Sequence, residues 1–433
     1  MKNGITEKVK GFYFLAVAVM MYYFLDEYID VGLHITFRHV FALVLFVSAV
    51  LLFLYQPDIP RGITAFKDAC FYSTPLGVTT AVSLFIWFVT TADVSVISRG
   101  LSSAFVYANM LSFALGTGAL LYIFGGKGIW YNLLAILAAN LLKILYVISQ
   151  NGLGSYLSEF ITLVTTFAGV TGEVIVQAEL HELAFCIGAY LIYMLYKPRK
   201  NFVFGILLLL SLFCFLSAFK RIAIIAIVLA LVFGYLLKFI ARYSPKTAGR
   251  LVTFLSFALI LLLVGYVALI KWGAFELLEN AGIETSGRVE IYGAVDHFYE
   301  FSPEFLGHGI GFLTYQLNAF MNVGVASVHN DFLQHFIDLG FWGYMVWLVS
   351  MTLVRVWYFG RKGNVENAIL TFILTVYLIV VSSTDNTMNY PLLTGVLAML
   401  MMGNSFDENV RRSGYRIFGE LSPANTKESD TLL

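Results

Sequence analysis

Histidine side chains concentrate in one stretch of the chain, residues 271–338. It holds four of the seven histidines and one arginine: His297, His308, His329, His335 and Arg288. Imidazole gains and loses a proton near neutral pH, and a guanidinium binds phosphate or carboxylate oxygens through a planar fork of donors. Together these residue types favour proton transfer beside a bound anion.

Glycines punctuate the same stretch. Three motifs follow one another along the chain: Gly287-Arg288, Gly307-x-Gly309-x-Gly311, and His329-Asn330-x-x-Leu333-x6-Gly340-x-x-Gly343. Glycine adopts a positive φ at little steric cost, so the middle motif predicts a tight turn. We favour this turn over a phosphate-binding loop.

The composition sets the class of protein that must position these residues. Apolar residues make up 59% of the chain and charged residues 12%, a balance that a water-soluble surface does not tolerate. We predict an all-α integral membrane protein with about 12 transmembrane helices. One large extracytoplasmic loop with short amphipathic helices completes the prediction. A soluble enzyme and a nucleic-acid-binding protein are excluded.

The charges between the apolar blocks predict the topology. The predicted spans are roughly 12–29, 34–54, 74–91, 101–124, 130–150, 180–196, 202–218, 222–240, 251–270, 339–358, 366–383 and 390–405. Lysine and arginine favour the cytoplasmic side, and most of them fall in alternate loops. Those on the opposite side are Arg99, Lys220, Arg221, Lys271 and Arg288. Both termini are therefore expected in the cytoplasm, and the histidines at or near the outer face.

Four regions follow from this layout. Residues 1–270 carry the first nine spans, 271–338 form the large outer loop, 339–405 carry the last three spans, and 406–433 form a loose cytoplasmic tail. Residues 151–179 are apolar in part, but a span there would reverse the charge bias. We predict a re-entrant or interfacial segment at the outer face, covered by protein or water.

The order of the three motifs resembles the O-antigen polymerase and O-antigen ligase superfamily of bacterial membrane glycosyltransferases. A His-Asn pair directly before a span, with an arginine upstream in the same outer loop, carries most of the resemblance. It covers the late half of the chain and reaches the early half through the helix count and a short basic outer turn. That turn reads Phe219-Lys220-Arg221, where the family often has Ser-Arg, so we match Arg221 to the family arginine.

The resemblance implies transfer of a glycan from an undecaprenyl diphosphate carrier to an acceptor sugar at the outer face. Arg221 and Arg288 would hold the departing diphosphate, because arginine binds phosphate oxygens bidentately. His329 would serve as the base or positioning group for the attacking hydroxyl. Asn330 would orient the imidazole or a sugar hydroxyl, and Lys220 would add positive charge.

Further residues are candidates for substrate contact. Glu173 and Glu179, with His181 beside them, could accept hydrogen bonds from sugar hydroxyls or merely end a span. Arg38 is an ionisable group within an apolar block, so it is a functional candidate, unless it snorkels to the interface. His308 fits a structural role as well as a functional one.

No metal or cofactor is expected. The three cysteines lack metal-ligand spacing. Asp296, His297, Glu300 and Glu304 fit a solvated helix face better than a metal site, since the resembled family looks metal-independent.

The residues do not separate a polymerase, which extends a lipid-linked chain, from a ligase, which transfers a finished glycan to a lipid A core or another acceptor. We favour a polymerase because polymerases are the more numerous kind. A transporter or flippase for lipid-linked sugars is the alternative of a different class, although paired Gly/Pro-interrupted spans are not seen. The expected setting is the bacterial cytoplasmic (inner) membrane. The expected partners are the lipid-linked oligosaccharide, membrane lipids, a flippase and a chain-length regulator.

Overall fold

The computed structural model shows a largely helical chain. The described residues are 2–24, 28–30, 34–90, 97, 111, 113–166, 173–178, 181–218, 220–282, 285, 287–320, 328–362, 364–387 and 390–418. The helices up to residue 243 are Lys2–Tyr23, Phe37–Tyr55, Ile59–Tyr72, Thr74–Val89, 113–124, Gly128–Asn151, Leu153–Thr166, Glu173–Ala178, His181–Tyr196, Phe202–Ala218 and Arg221–Tyr243. The later helices are Pro245–Lys271, Ala274–Asn280, Arg288–Val295, Phe312–Phe320, Asp331–Val349, Arg355–Lys362, Val365–Ser382, Pro391–Gly403 and Phe406–Phe418.

Several helices are long and apolar enough to cross a membrane. The five stretches that meet this test are Phe113–Asn151, Arg221–Tyr243, Pro245–Lys271, Asp331–Arg361 and Val365–Ser382. Helices Ile59–Tyr72 and Thr74–Val89 would form a sixth span, bent by 52°. Shorter apolar helices are Val9–Tyr23, Val40–Tyr55, Glu182–Tyr196, Phe202–Ala218 and Pro391–Gly403. This composition agrees with an integral membrane protein, whereas the total of about 12 spans stays a prediction.

Apolar side chains on the outside of these helices agree with a lipid environment. On helix Pro245–Lys271, Phe254 is 63% exposed and Leu262 is 61% exposed. Contiguous exposed apolar surface of this kind is rare on soluble monomers.

The stretch 113–151 reverses direction at Gly125, whose φ is +63°. A Cβ added to Gly128 would lie 3.6 Å from the Leu120 carbonyl oxygen. Residues eight apart in one continuous helix are separated by about 12 Å along its axis. Two helices, 113–124 and Gly128–Asn151, therefore meet at a turn here. Within the described residues, this agrees with the prediction of separate spans at 101–124 and 130–150.

Two sequence-based boundaries need correction. The first two predicted spans meet in a short antiparallel hairpin of strands Tyr28–Asp30 and His34–Thr36, in which Ile29 is paired with Ile35 in the backbone register. The cytoplasmic tail was expected to be loose from residue 406, but Phe406–Phe418 is a helix with Phe406 buried at its start.

Residues 151–179 contain a helix of 14 residues, Leu153–Thr166, that begins after Gly152 at φ +86°. Its length is about 21 Å, short of the roughly 30 Å hydrocarbon core. Glu159 accepts hydrogen bonds from the backbone N–H groups of Val174 (3.1 Å) and Ile175 (3.0 Å) and so holds the next short helix against it. The re-entrant or interfacial placement stays a prediction.

The chain divides into two compact units, each discontinuous in sequence. The first comprises Met1–Ala69, Ser112–Tyr235 and Pro391–Leu433, and the second comprises Cys70–Leu111 and Leu236–Tyr390. The predicted outer loop, 271–338, lies wholly in the second unit.

In the first unit, buried polar groups tie helices together. Tyr22 donates to Asn132 Oδ1 at 2.5 Å, and Asn132 Nδ2 donates to the Tyr190 hydroxyl at 3.0 Å. The carboxylate of Glu182 is buried and accepts from the backbone N–H of Leu392 at 2.5 Å. A carboxylate is favourable there because it faces the positive N-terminal end of helix Pro391–Gly403.

In the second unit, residues 305–311, called here the glycine loop, dock onto helix Asp331–Val349. The Asp338 carbonyl accepts from Gly309 N at 2.7 Å, and its carboxylate accepts from Gly311 N and Leu313 N, both at 3.2 Å. Gly340, at φ +69°, breaks the helical geometry beside the loop. Gly307, Gly309 and Gly311 all have positive φ, as expected for turn-forming glycines.

The kink at Gly340 leaves no room for a side chain. A Cβ at this position would lie 2.2 Å from the Leu306 carbonyl carbon, and a Cβ at Gly307 would lie 2.3 Å from Gly340 N. The backbone of the glycine loop therefore lies directly against the backbone at Gly340, and both positions need glycine.

We expect Gly340→Ala to destabilise the protein by about 2 kcal/mol or more, because it combines a backbone clash with an unfavourable positive φ. Gly293→Ala is the control, since a Cβ there meets nothing within 4 Å. Thermal unfolding in detergent measures both. Equal melting temperatures for the two variants would contradict the docking account.

Candidate active site

His329 has an unusual backbone conformation. Its φ of +50° makes it the non-glycine residue with positive φ among the described residues. Such a conformation is sparsely populated and clusters at functional sites. The residue stands just before helix Asp331–Val349, and its side chain is 42% exposed. The imidazole is therefore held in place and still open to a ligand.

The imidazole faces a carboxylate and an amide from the turn 383–387, called here the linking turn. His329 Nδ1 lies 3.8 Å from Asp385 Oδ1 and 3.1 Å from Asn386 Nδ2. Asp385 also accepts from the Tyr390 hydroxyl at 3.0 Å and from the Asn386 backbone N–H at 2.8 Å. These hydrogen bonds fix the carboxylate on the Nδ1 side of the ring.

This arrangement bears on which ring nitrogen of His329 carries the proton. Asn386 Oδ1 is buried without a hydrogen-bond partner. A half-turn of the amide would point Oδ1 at the ring, where Nδ1–H would donate to it. The nearby carboxylate of Asp385 favours the same Nδ1–H form. Nε2 would then keep the lone pair that a general base needs.

Asn330, the neighbour of His329, is fully engaged inside the protein. Its Oδ1 caps the helix by accepting from Phe332 N (3.2 Å) and Leu333 N (3.1 Å). Its Nδ2 donates to the hydroxyls of Tyr266 (3.1 Å) and Tyr292 (3.0 Å). Because all four hydrogen bonds of the amide are used and the residue is buried, these contacts favour a positioning role over contact with a sugar.

Arg288 reaches the linking turn from helix Arg288–Val295. Its guanidinium donates to the carbonyls of Thr285 (3.0 Å) and Thr384 (2.8 Å), and it lies against the hydroxyl of Tyr292. Burial raises the pKa of Tyr292, so this neighbour stays neutral. Within the described residues, no carboxylate lies at ion-pair distance from Arg288. Its charge is held by neutral groups and is available to an anion.

The linking turn is itself anchored to the start of the helix. Thr387 donates to the buried carboxylate of Asp331 at 2.7 Å and is hydrogen-bonded to Ser382. Three residues that adjoin along the turn, Thr384, Asp385 and Asn386, thus contact Arg288 and His329. The structure therefore brings together two of the three predicted catalytic residues.

His308 has structural contacts. Its Nε2–H donates to the Phe298 carbonyl at 2.9 Å, and its ring stacks on Phe312 with centroids 3.9 Å apart. Burial lowers its pKa, so the neutral ring is favoured. These contacts hold the glycine loop and favour a positioning role.

The remaining predicted site residues belong to the first unit. Arg221 is exposed at the first turn of helix Arg221–Tyr243, and Lys220 is half-buried just before it. Arg38, Glu173 and His181 stand at the starts of helices, with side chains outside the described set, and Glu179 lies outside the described residues. Their contact with substrate stays a prediction.

Asp296, Glu300 and Glu304 do not form a metal site with His297. Asp296 pairs with Lys271 at 2.8 Å, and Lys271 also lies over the ring of Tyr299. Across the described part of the chain, no group of three or more metal-ligating side chains occurs.

Sequence reasoning missed Asp385, Asn386 and Asp331. The signal was present in the run Ser382-Ser383-Thr384-Asp385-Asn386-Thr387, six polar residues between two apolar blocks. By the predicted topology this turn faces outward, on the same side as His329.

The fold and the site together define a helical membrane protein with a histidine–carboxylate pair beside an arginine available to an anion. Residues 206–348 match a family model described as O-antigen ligase. The match confirms the resemblance to the O-antigen ligase and polymerase superfamily and supports, at the level of the family, a function of that type. Such enzymes are glycosyltransferase-like and act on lipid-linked glycans in membranes. No curated protein matches the chain with significance.

The match includes Arg221, Arg288 and His329 and ends before the linking turn. The carboxylate that faces His329 is therefore contributed by a part of the chain outside the matched domain.

We expect the contribution of His308 to stability to be lost as the pH drops from 7 to about 5, so the stability of His308→Gln relative to that of the wild type should rise over this range. Burial holds the folded-state pKa of His308 below its usual 6.5, so the unfolded chain binds the proton first. The stabilisation is therefore complete above pH 6.5 and is lost as the pH falls through the folded-state pKa.

Melting temperatures in detergent across this pH range provide the measurement. The matched control is His297→Gln, which changes an exposed histidine directly before Phe298 and leaves the hydrogen bond between His308 and the Phe298 carbonyl in place. Identical pH profiles for the wild type and His308→Gln would contradict the prediction.

Proposed function

We propose that this protein is a membrane glycosyltransferase that polymerises undecaprenyl-diphosphate-linked oligosaccharide repeat units into a surface polysaccharide. The product would be O-antigen, capsule or exopolysaccharide, made at the outer face of the bacterial cytoplasmic membrane. One observation carries the proposal: His329 and Arg288 contact adjoining residues of one turn, Thr384 to Asn386. These contacts support a site in which a proton acceptor and a cation act together.

The proposed step is attack by an acceptor sugar hydroxyl on the anomeric carbon of the donor. A new C–O bond forms to the acceptor, and the C–O bond to the diphosphate breaks. The hydroxyl proton passes to Nε2 of His329, and the lipid diphosphate departs with the bonding electron pair. Asp385, on the Nδ1 side of the ring, is proposed to orient the imidazole and to offset the positive charge that it gains in this step.

Arg288 would bind the departing diphosphate. Its guanidinium is fixed by two backbone carbonyls, so it needs little reorganisation when negative charge develops. Arginine also retains free N–H groups after these two contacts, since the guanidinium has five. Arg221 and Lys220 are proposed to add positive charge for the same diphosphate.

The other predicted residues take lesser roles in this proposal. Glu173, Glu179, His181 and Arg38 are proposed to contact the glycan. Asn330 and His308 are proposed to position the site, because their polar atoms already bind protein groups. No metal or cofactor enters the proposed reaction.

A ligase that transfers a finished glycan to a lipid A core is the second candidate, supported by the description of the matched family as O-antigen ligase. Both reactions need the same diphosphate clamp and the same base. They differ in the acceptor, which an experiment can supply or withhold.

The deciding experiment incubates the purified protein in detergent with a lipid-diphosphate-linked repeat unit as sole substrate and resolves products as a gel ladder. A ladder supports the polymerase. Product that appears only after a lipid A core is added assigns the ligase. Transbilayer movement of the lipid in vesicles, with no glycan transfer, would replace both with a flippase.

We expect His329→Ala to lower the transfer rate by about a hundredfold or more, because a positioned base typically contributes that much. His297→Ala should leave the rate unchanged, since it removes an exposed histidine of the same segment. Both proteins should show wild-type melting temperatures. A wild-type ladder from His329→Ala would remove His329 from the reaction.

We expect Arg288→Lys to lower the rate by about tenfold or more although the charge is retained, because an ammonium cannot bridge two carbonyls and a phosphate in one plane. The rate is compared at saturating donor with that of Lys271→Arg, which conserves charge elsewhere in the same segment. Equal rates for wild type and Arg288→Lys would contradict the clamp.

A further inference from the structure

The N-terminal helices of the first unit enclose two adjoining cavities. A polar cavity of about 210 Å³ and an apolar cavity of about 560 Å³ share four lining residues: Lys10, Leu52, Ile123 and Phe124. The larger volume lies in the range of small-molecule sites. One amphiphilic molecule could therefore occupy both cavities.

The polar cavity is positively charged. Lys10, Arg61 and Lys127 line it, together with one carboxylate, Asp58. Asp58 is directed to the start of a helix, where its Oδ1 accepts from Arg61 N at 3.1 Å. A second carboxylate nearby, Asp407, accepts from Gly126 N at 3.1 Å. Among the described side chains around this cavity, three cations stand against two carboxylates, which leaves an excess of positive charge.

Arg61 has unused hydrogen-bonding capacity. Its Nε is buried and has no hydrogen-bond partner, while Nη2 donates to the Leu121 carbonyl at 3.4 Å. A buried N–H without a partner is costly, so an anion beside this guanidinium would be stabilised.

The apolar cavity opens at the surface of the helices. Its wall includes the buried side chains of Phe14, Phe41 and Leu45. At its edge, Tyr13 is 69% exposed and Leu51 is 62% exposed. An acyl chain could enter from the side, as a lipid in a bilayer would.

We propose that these cavities form a binding site for an anionic phospholipid. The phosphate lies against Lys10 and Arg61, and an acyl chain fills the apolar cavity. A soluble anion would leave the apolar cavity empty, and a zwitterionic headgroup would bring an ammonium towards three cations. The positive-inside bias of the sequence assigns these cations to the cytoplasmic leaflet, where anionic lipids attract basic residues. This site is independent of the proposed glycan transfer.

The test is native mass spectrometry of the full chain, purified from vesicles with equal phosphatidylglycerol and phosphatidylethanolamine. Wild type should retain one phosphatidylglycerol with about thirtyfold preference, as two cations near a lipid headgroup predict. The double variant Lys10→Gln/Arg61→Gln should abolish the preference. Ser48→Trp, which fills the apolar cavity and keeps every cation, should remove the bound lipid.

Lys246→Gln is the matched control, since it removes an exposed cation of another helix and should change nothing. Equal retention of the two lipids by the wild type would overturn the proposal. Retention of phosphatidylglycerol by Ser48→Trp would do the same, because it would place the lipid elsewhere. Displacement by equimolar polyprenyl phosphate would overturn it in favour of the carrier lipid.

Discussion

The start of a helix needs hydrogen-bond acceptors for its free N–H groups, and in the second unit Asn330 supplies them. The cap fixes where helix Asp331–Val349 begins, and His329 is the residue directly before the cap residue, Asn330. The amide of Asn330 also binds Tyr292, which lies on the helix that carries Arg288. One buried side chain therefore connects the backbone of the proposed base to the element that positions the proposed diphosphate clamp.

Two further constraints act on the same helix. At its first residue, Asp331 binds Thr387 and holds the linking turn, with Asp385 facing the imidazole. Further along, the kink at Gly340 accommodates the glycine loop, whose backbone N–H groups bind Asp338. The positive φ of His329 persists because the next residue, Asn330, is held by four hydrogen bonds and the imidazole contacts the linking turn. The glycine and His-Asn motifs thus belong to one packing arrangement, with His329 at its edge.

Sequence patterns predicted the helical membrane class, the turn-forming glycines and the proximity of Arg288 and His329 within one segment. Hydropathy, glycine chemistry and motif order carry that information locally. The partnership of His329 with Asp385 could not be predicted, because the 55 intervening positions include three complete helices whose packing no local pattern encodes. The same holds for Asn330, whose type suggested sugar binding, since only the fold reveals that its four hydrogen bonds are internal.

The central claim is that Asp385 acts through His329 in glycan transfer, and a double-mutant cycle tests it most directly. Single-turnover transfer rates would be compared for wild type, Asp385→Asn, His329→Ala and the double variant. We predict that Asp385→Asn slows the wild type by about tenfold or more and leaves the rate of His329→Ala unchanged, because coupled residues are not additive. The same fold loss in both backgrounds would show that the two residues act separately and would contradict the account.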